Sequence, residues 1–127
     1  DILDHPLPED AGEDSVSLLP LLKGSQQPVR QHAVSCGANG LPAVRDGSWK
    51  LVLGPGSGGW SKGSGKENLQ LYNLATDVGE QQNLASEEPD RVVKMLLSYR
   101  QIVNDGRSTP GPEQANDVTV RSYPKQP

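Results

Sequence analysis

The sequence predicts an α+β fold: a small antiparallel β-sheet of three or four strands with one amphipathic C-terminal helix packed on it and long loops. Three observations predict it. Asp46-Gly47 stands between two apolar alternations, the strongest short-range hairpin marker. Leu69 to Asn73 (LQLYN) has the length and composition of a further strand. Val92, Val93, Leu96, Leu97, Tyr99 and Val103 recur at three- and four-residue spacing, which marks a helix with one apolar stripe.

Composition supports one such domain and no more. The 127 residues hold two Trp, three Tyr and no Phe, and 33% are hydrophobic. Gly and Pro together make up about a fifth of the chain, above the ~12% of average usage but short of the ~25–30% of low-complexity sequence. A net charge of −4 argues against a nucleic-acid partner and against an anionic membrane surface. No apolar run nears the ~20 residues of a membrane span, and no signal peptide is visible. The chain opens Asp1-Ile2-Leu3 and its single methionine is Met95, which predicts a processed product or a piece of a longer protein. Cys36 is the single cysteine, so neither an internal disulfide nor a multi-cysteine zinc site is available.

Residues 1–14 are acidic and carry Pro6 and Pro8, which predicts an extended lead-in. Residues 15–24 predict one or two helical turns, capped by Ser15 or Ser17 and ended by Gly24, whose leucines plug an apolar surface elsewhere. Val29 to Ser35 and Leu41 to Arg45 predict two strands, the second demoted to an edge or a bulge by Pro42. Asp46-Gly47 predicts a type I′ turn into a return strand from Ser48 to Leu53. That strand sets Trp49, Leu51 and Leu53 on one face and Lys50 and Val52 on the other. A Gly, Ser and Lys loop runs from Gly54 to Asn68. In the strand after it, Leu69 and Leu71 point one way and Gln70 and Tyr72 the other. Ser86-Glu87-Glu88-Pro89 predicts the start of the long helix, with a serine cap, and Asn104-Asp105-Gly106 its stop. Residues 107–127 predict an irregular tail with a short extended piece at Val118–Val120. So few elements bury little surface, which predicts that the sheet leans on further polypeptide.

No catalytic constellation emerges from the residues themselves. Gly54-Pro55-Gly56-Ser57-Gly58-Gly59 matches the dinucleotide fingerprint by letter, yet no helix follows to hold a pyrophosphate. Gly65-Lys66 ends like a P-loop, but Glu67 stands where Ser or Thr must hold magnesium. Cys36 and His32 share a predicted strand face about 13 Å apart at strand rise, too far for the imidazole to activate the thiol. His5 reads as a solvated surface residue. Glu9-Asp10 and Glu87-Glu88 read as solvated charge.

The order of segments resembles a known family. Asp14-Ser15-Val16-Ser17-Leu18-Leu19-Pro20-Leu21-Leu22-Lys23-Gly24 comes first, followed by Ala43-Val44-Arg45-Asp46-Gly47-Ser48-Trp49-Lys50-Leu51. Leu71-Tyr72-Asn73-Leu74 then runs through Asp77 and Gly79-Glu80 to Asn83-Leu84. Together they resemble the C-terminal portion of a type I, formylglycine-dependent sulfatase, in particular bacterial arylsulfatase A-like enzymes. The resemblance spans roughly residues 10–106. It implies a parent enzyme that hydrolyses sulfate esters, and a secreted or periplasmic location. It also implies a C-terminal subdomain over residues 15–106 of an alkaline-phosphatase-like fold, partnered by an N-terminal sulfatase domain outside this chain. The calcium and the formylglycine nucleophile are implied there, so the resemblance assigns this chain no catalytic residue, metal or cofactor and predicts that it is inactive alone. Cys36-Gly37-Ala38-Asn39-Gly40 departs from the nucleophile motif C-x-[PA]-x-R at Gly40, so Cys36 takes no nucleophile role. The loop after the Trp49 strand is implied to face substrate, which makes Ser57, Trp60, Ser61 and Lys62 the substrate-cleft candidates. The alternative is a non-catalytic glycan- or ligand-binding module using the Gly-rich loop 54–65.

Overall fold

Strict alternation of side chains across a short antiparallel sheet accounts for most of the architecture. The computed structural model describes His5, Leu7, Pro8 and residues 10–57 and 66–124. Within them lie α1 (Leu19–Leu22), β1 (His32–Cys36), β2 (Pro42–Asp46), β3 (Trp49–Val52), β4 (Gln70–Asn73) and α2 (Pro89–Asp105). The four strands form one antiparallel sheet in sequence order, β1-β2-β3-β4. Adjacent strands therefore pair with adjacent strands throughout, and the chain pays little loop-closure entropy to assemble them.

Register sorts the residues onto two faces. Val34, Val44, Leu51 and Leu71 lie directly across from one another and make one row. Val44, Leu51 and Leu71 are wholly buried under Val92, Met95 and Tyr99 of α2. Leu53 joins them, and Trp49 packs at the margin of the same cluster. The opposite face carries Ser35, Ala43, Val52 and Gln70 in one row, and Ala33, Arg45, Lys50 and Tyr72 in the next. The expected two-faced character of residues 49–53 and 69–73 is thus what the structure has.

Several local expectations are corrected. Pro42 does not mark an edge strand: β2 is interior. As the first residue of its strand Pro42 forfeits only a terminal donor, and its carbonyl still accepts from the Leu53 N–H at 3.0 Å. Asp46 pairs with Trp49, so the hairpin loop is Gly47-Ser48 rather than Asp46-Gly47. Gly47 alone of these has positive φ, at 59°, the requirement of a type II′ turn and not of type I′. Arg45 Nη2 donates to the Gly47 carbonyl at 2.8 Å and braces the turn. The first strand runs over His32–Cys36 rather than from Val29.

In α2, Pro89 occupies the first turn and Glu88 the cap position, with no side-chain cap bond, so the serine cap is not formed. The buried stripe is Val92, Met95 and Tyr99, with Leu96 and Val103 partly covered. Val93 and Leu97 turn outward and are 56% and 57% exposed. The helix ends at Gly106, whose φ of 63° is left-handed. A Cβ there would stand 2.1 Å from the Gln114 carbonyl oxygen, so glycine is required on two counts. Two of the last carbonyls are satisfied by the tail: Gln114 N–H donates to Asp105 and Asn116 Nδ2 to Val103, both at 2.8 Å.

α1 is a single turn with Pro20 inside it, preceded by a bond from the Leu19 N–H to Ser17 Oγ at 3.2 Å. Its leucines do not plug an apolar surface among the described residues: Leu18, Leu21 and Leu22 are 56%, 41% and 74% exposed. No strand forms at Val118–Val120, and Val118 is exposed. The tail folds back instead on residues 13 and 14. Ser108 N–H donates to Asp14 Oδ1 at 2.9 Å, and Thr109 N–H to the Glu13 carbonyl at 3.2 Å. No helix among the described residues is long and apolar enough to cross a membrane.

Candidate functional site

The sheet face left uncovered by α2 forms the floor of an open cleft of about 500 Å³. Alternation places Ala43, Val52, Gln70, Lys50 and Tyr72 there, and two loops make its walls. One wall is the start of the Gly-rich loop, with Gly56 and Ser57. The other is the turn after β4, with Val78, Gly79 and Glu80.

Gln70 fixes the first wall. It is 3% exposed, and its Nε2 donates to the carbonyls of Gly54 and Gly56 at 2.7 and 2.9 Å. Its Oε1 accepts from the Tyr72 hydroxyl at 2.7 Å. Three of the four bonds a buried amide can make are therefore formed, and all of them hold backbone or ring in the cleft. Burial, followed by the nearby Glu80 carboxylate, pushes the Tyr72 phenol above its ordinary value, so it stays a neutral donor.

The second wall is a folded loop with its own internal bonding. Asp77 accepts from the N–H groups of Gln81 and Gln82 at 2.9–3.0 Å, and these bonds hold its carboxyl below the usual carboxylate value. Asn83 Oδ1 accepts from the Leu71 and Ala85 N–H groups, while its Nδ2 donates to the Leu69 carbonyl. Between them Glu80 adopts a left-handed φ of 54°, uncommon for a residue with a Cβ. That backbone presents its carboxylate to the cleft, where it accepts from Lys50 Nζ at 2.6 Å. With side chains 25% and 32% exposed, the pair contributes little to stability and serves to place two opposite charges at the cleft rim.

The Asp77 shift carries a pH consequence. Its folded-state carboxyl is more acidic than in the unfolded chain, so its contribution is complete above pH ~3.8 and is lost as pH falls through the folded value. Asp77→Asn is expected to lower the urea midpoint at neutral pH. The gap from the parent chain should close on acidification below pH ~3.8, read as midpoint against pH.

No protein-family model matches the chain. A curated "N-acetylgalactosamine-6-O-sulfatase" of Bacteroides thetaiotaomicron is 33% identical over 96 residues, which cover 72% of this chain and 19% of that protein. The chain is homologous to a sulfatase. A solved structure described as "Metabolism of multiple glycosaminoglycans by bacteroides thetaiotaomicron is orchestrated by a versatile core genetic locus (BT33336S-sulf)" superposes with a TM-score of 0.67 at 30% identity. That match covers 80% of this chain and 22% of the other. The chain thus spans about a fifth of the length of each sulfatase it matches, and its sheet-plus-helix architecture is consistent with a C-terminal subdomain. The segments that carried the resemblance now have physical roles. Trp49 sits 4.2 Å beneath the Arg91 guanidinium of α2, Lys50 reaches Glu80, and Leu51 is core. Asn73, Asp77 and Asn83 fold the loop that holds Glu80 in place.

The sequence candidates divide. Ser57 lines the cleft. Trp60, Ser61 and Lys62 lie outside the described residues. The structure does not bring Cys36 and His32 together: they stand at opposite ends of β1, with His32 Nε2 3.8 Å from Asp46 Oδ2. Among the described residues, no group of three or more His, Cys, Asp or Glu side chains gathers that could hold a metal ion. Sequence reading missed Lys50, Gln70, Tyr72 and Glu80 as cleft residues. The shared face of the first three was available from alternation, whereas nothing local announced Glu80.

Proposed function

We propose that this chain is the C-terminal subdomain, over residues 15–106, of a sulfatase that hydrolyses sulfate esters. In this reading the cleft is one wall of the substrate site, and a partner N-terminal domain supplies the groups that break the ester. Calcium and formylglycine belong to that domain. Homology to a sulfatase, joined to a polar cleft on the sheet face α2 leaves open, carries the proposal. The wall offers a sugar sulfate the Lys50 ammonium and the Ser57 side chain, with Trp60, Ser61 and Lys62 further along the same loop. An N-acetylgalactosamine 6-sulfate, after the name of the relative, is the first ester to test. The location that goes with this reading is secreted or periplasmic.

The 127-residue chain, incubated with an aryl sulfate and with N-acetylgalactosamine 6-sulfate, is expected to release no sulfate above buffer, with or without calcium. Turnover that follows the purified chain overturns the reading.

The second reading, a free-standing glycan-binding module built on loop 54–65, draws on the fact that both described walls come from this one chain. Solution behaviour separates the two. A subdomain cut from its partner exposes Leu18, Leu22 and Leu97 and binds hydrophobic dye, whereas a self-sufficient module stays monomeric and melts cooperatively.

A further inference from the structure

A separate groove of about 360 Å³ runs along the C-terminal half of α2, where the tail crosses it. Arg100 of the helix and Arg121 of the tail both line it, and among the described residues no Asp or Glu does. Both arginines are exposed, and neither has an acidic partner among the described residues. Of the other cations, Lys50 pairs with Glu80, Lys94 with Asp46, Arg91 with Glu88, Arg45 with the Gly47 carbonyl, and Arg107 with the tail carbonyls of Thr109, Pro110 and Pro112, while the exposed Lys23, Arg30 and Lys66 lie away from this groove. Two guanidinium groups lining one groove that no described Asp or Glu lines make a local positive site on a chain of net charge −4.

Helix capping does not account for them. The Val103 and Asp105 carbonyls at the end of α2 are already taken by Asn116 Nδ2 and the Gln114 N–H. Asn104 and Ser122 add neutral amide and hydroxyl groups, and the half-buried Tyr123 adds an aromatic surface. Guanidinium for an oxyanion, amide and hydroxyl for sugar hydroxyls, and a ring to stack on a pyranose form one complementary set.

We propose that this groove is a second binding site, which takes an anionic sugar by its sulfate or carboxylate through Arg100 and Arg121. It lies on the helix side of the sheet, apart from the cleft of the proposed sulfatase site. The choice of a sugar as carrier of the oxyanion rests on the sulfatase reading, while the preference for an oxyanion does not. By adding a contact remote from the cleft, such a site lets one polyanionic chain engage the protein at two points.

The test is a titration of the 127-residue chain, followed by chemical shifts of the arginine side chains, with N-acetylgalactosamine 6-sulfate, N-acetylgalactosamine and inorganic sulfate. The sulfated sugar is expected to bind in a salt-dependent way and to shift Arg100 and Arg121. Arg100→Gln with Arg121→Gln should weaken it at least tenfold, while Arg30→Gln, an exposed arginine elsewhere, leaves it unchanged. Because the substituted side chains are exposed, the backbone spectrum of each variant is expected to stay that of the folded chain. Undiminished binding by the double variant, or equal binding of the unsulfated sugar, overturns the site. Inorganic sulfate binding as tightly as the sulfated sugar overturns the assignment of a sugar. Aryl sulfate turnover by the isolated chain, which overturns the cleft-wall reading, leaves this titration unaffected, so the two failures are distinguishable.

Discussion

Leu71→Ala is expected to cost about 3–5 kcal/mol, a large share of the stability of a domain this size. Leu71 is wholly buried, sits across from Leu51 in the central row of the sheet, and packs in the cluster that α2 covers. Truncation removes its transfer free energy and leaves a hole that a four-stranded sheet with one covering helix has little means to close. A domain of this size has only ~5–15 kcal/mol in total, so one such loss shifts the unfolding transition far. Leu97→Ala, on the outward face of α2, should change the unfolding free energy from urea titration by less than ~0.5 kcal/mol. Equal effects at the two positions would mean that the core lies elsewhere.

Gln70→Leu is expected to cost about 2–4 kcal/mol although it adds apolar bulk of similar size. The substitution strips partners from the Gly54 and Gly56 carbonyls and from the Tyr72 hydroxyl. Gly54 and Tyr72 are buried, so their polar atoms do not regain water in full. Gln70→Glu keeps the acceptor for Tyr72 but turns a carboxylate toward two carbonyl oxygens, and should be at least as damaging. Hydrogen exchange separates local from global loss: amides at the base of the Gly-rich loop should exchange more than tenfold faster, beyond what the lowered global stability gives to α2. Uniform acceleration across the chain would show that Gln70 is a plain core residue and does not hold the loop.

How much was legible depended on how local the cause was. Trp49 to Leu53 alternate so cleanly that both the strand and its two faces followed from spacing alone. Gly106 announced the helix end because few other residues adopt that φ. Pro42 misled because the rule against proline in a sheet interior concerns mid-strand donors, and its place as first residue of β2 costs only a terminal one. In α2, Val93 and Leu97 have the apolarity of core residues but lie about 100° around the helix from Val92 and Leu96, so register and not hydropathy decides that Met95 is buried and they are not. The cleft was the least legible part. Lys50, Tyr72 and Gln70 come together only through strand pairing, and Glu80 only through a loop whose shape is set by Asp77 and Asn83.

Asn83 has a consequence for self-assembly. Its side-chain amide occupies the outward N–H of Leu71 and the outward C=O of Leu69, and the Leu84 N–H takes the Leu71 carbonyl. These are the groups a foreign β-ribbon would need in order to zip onto that flank of the molecule. The last strand is thus sealed by its own following segment, and any tendency of the chain to polymerise through backbone pairing is turned away from that side.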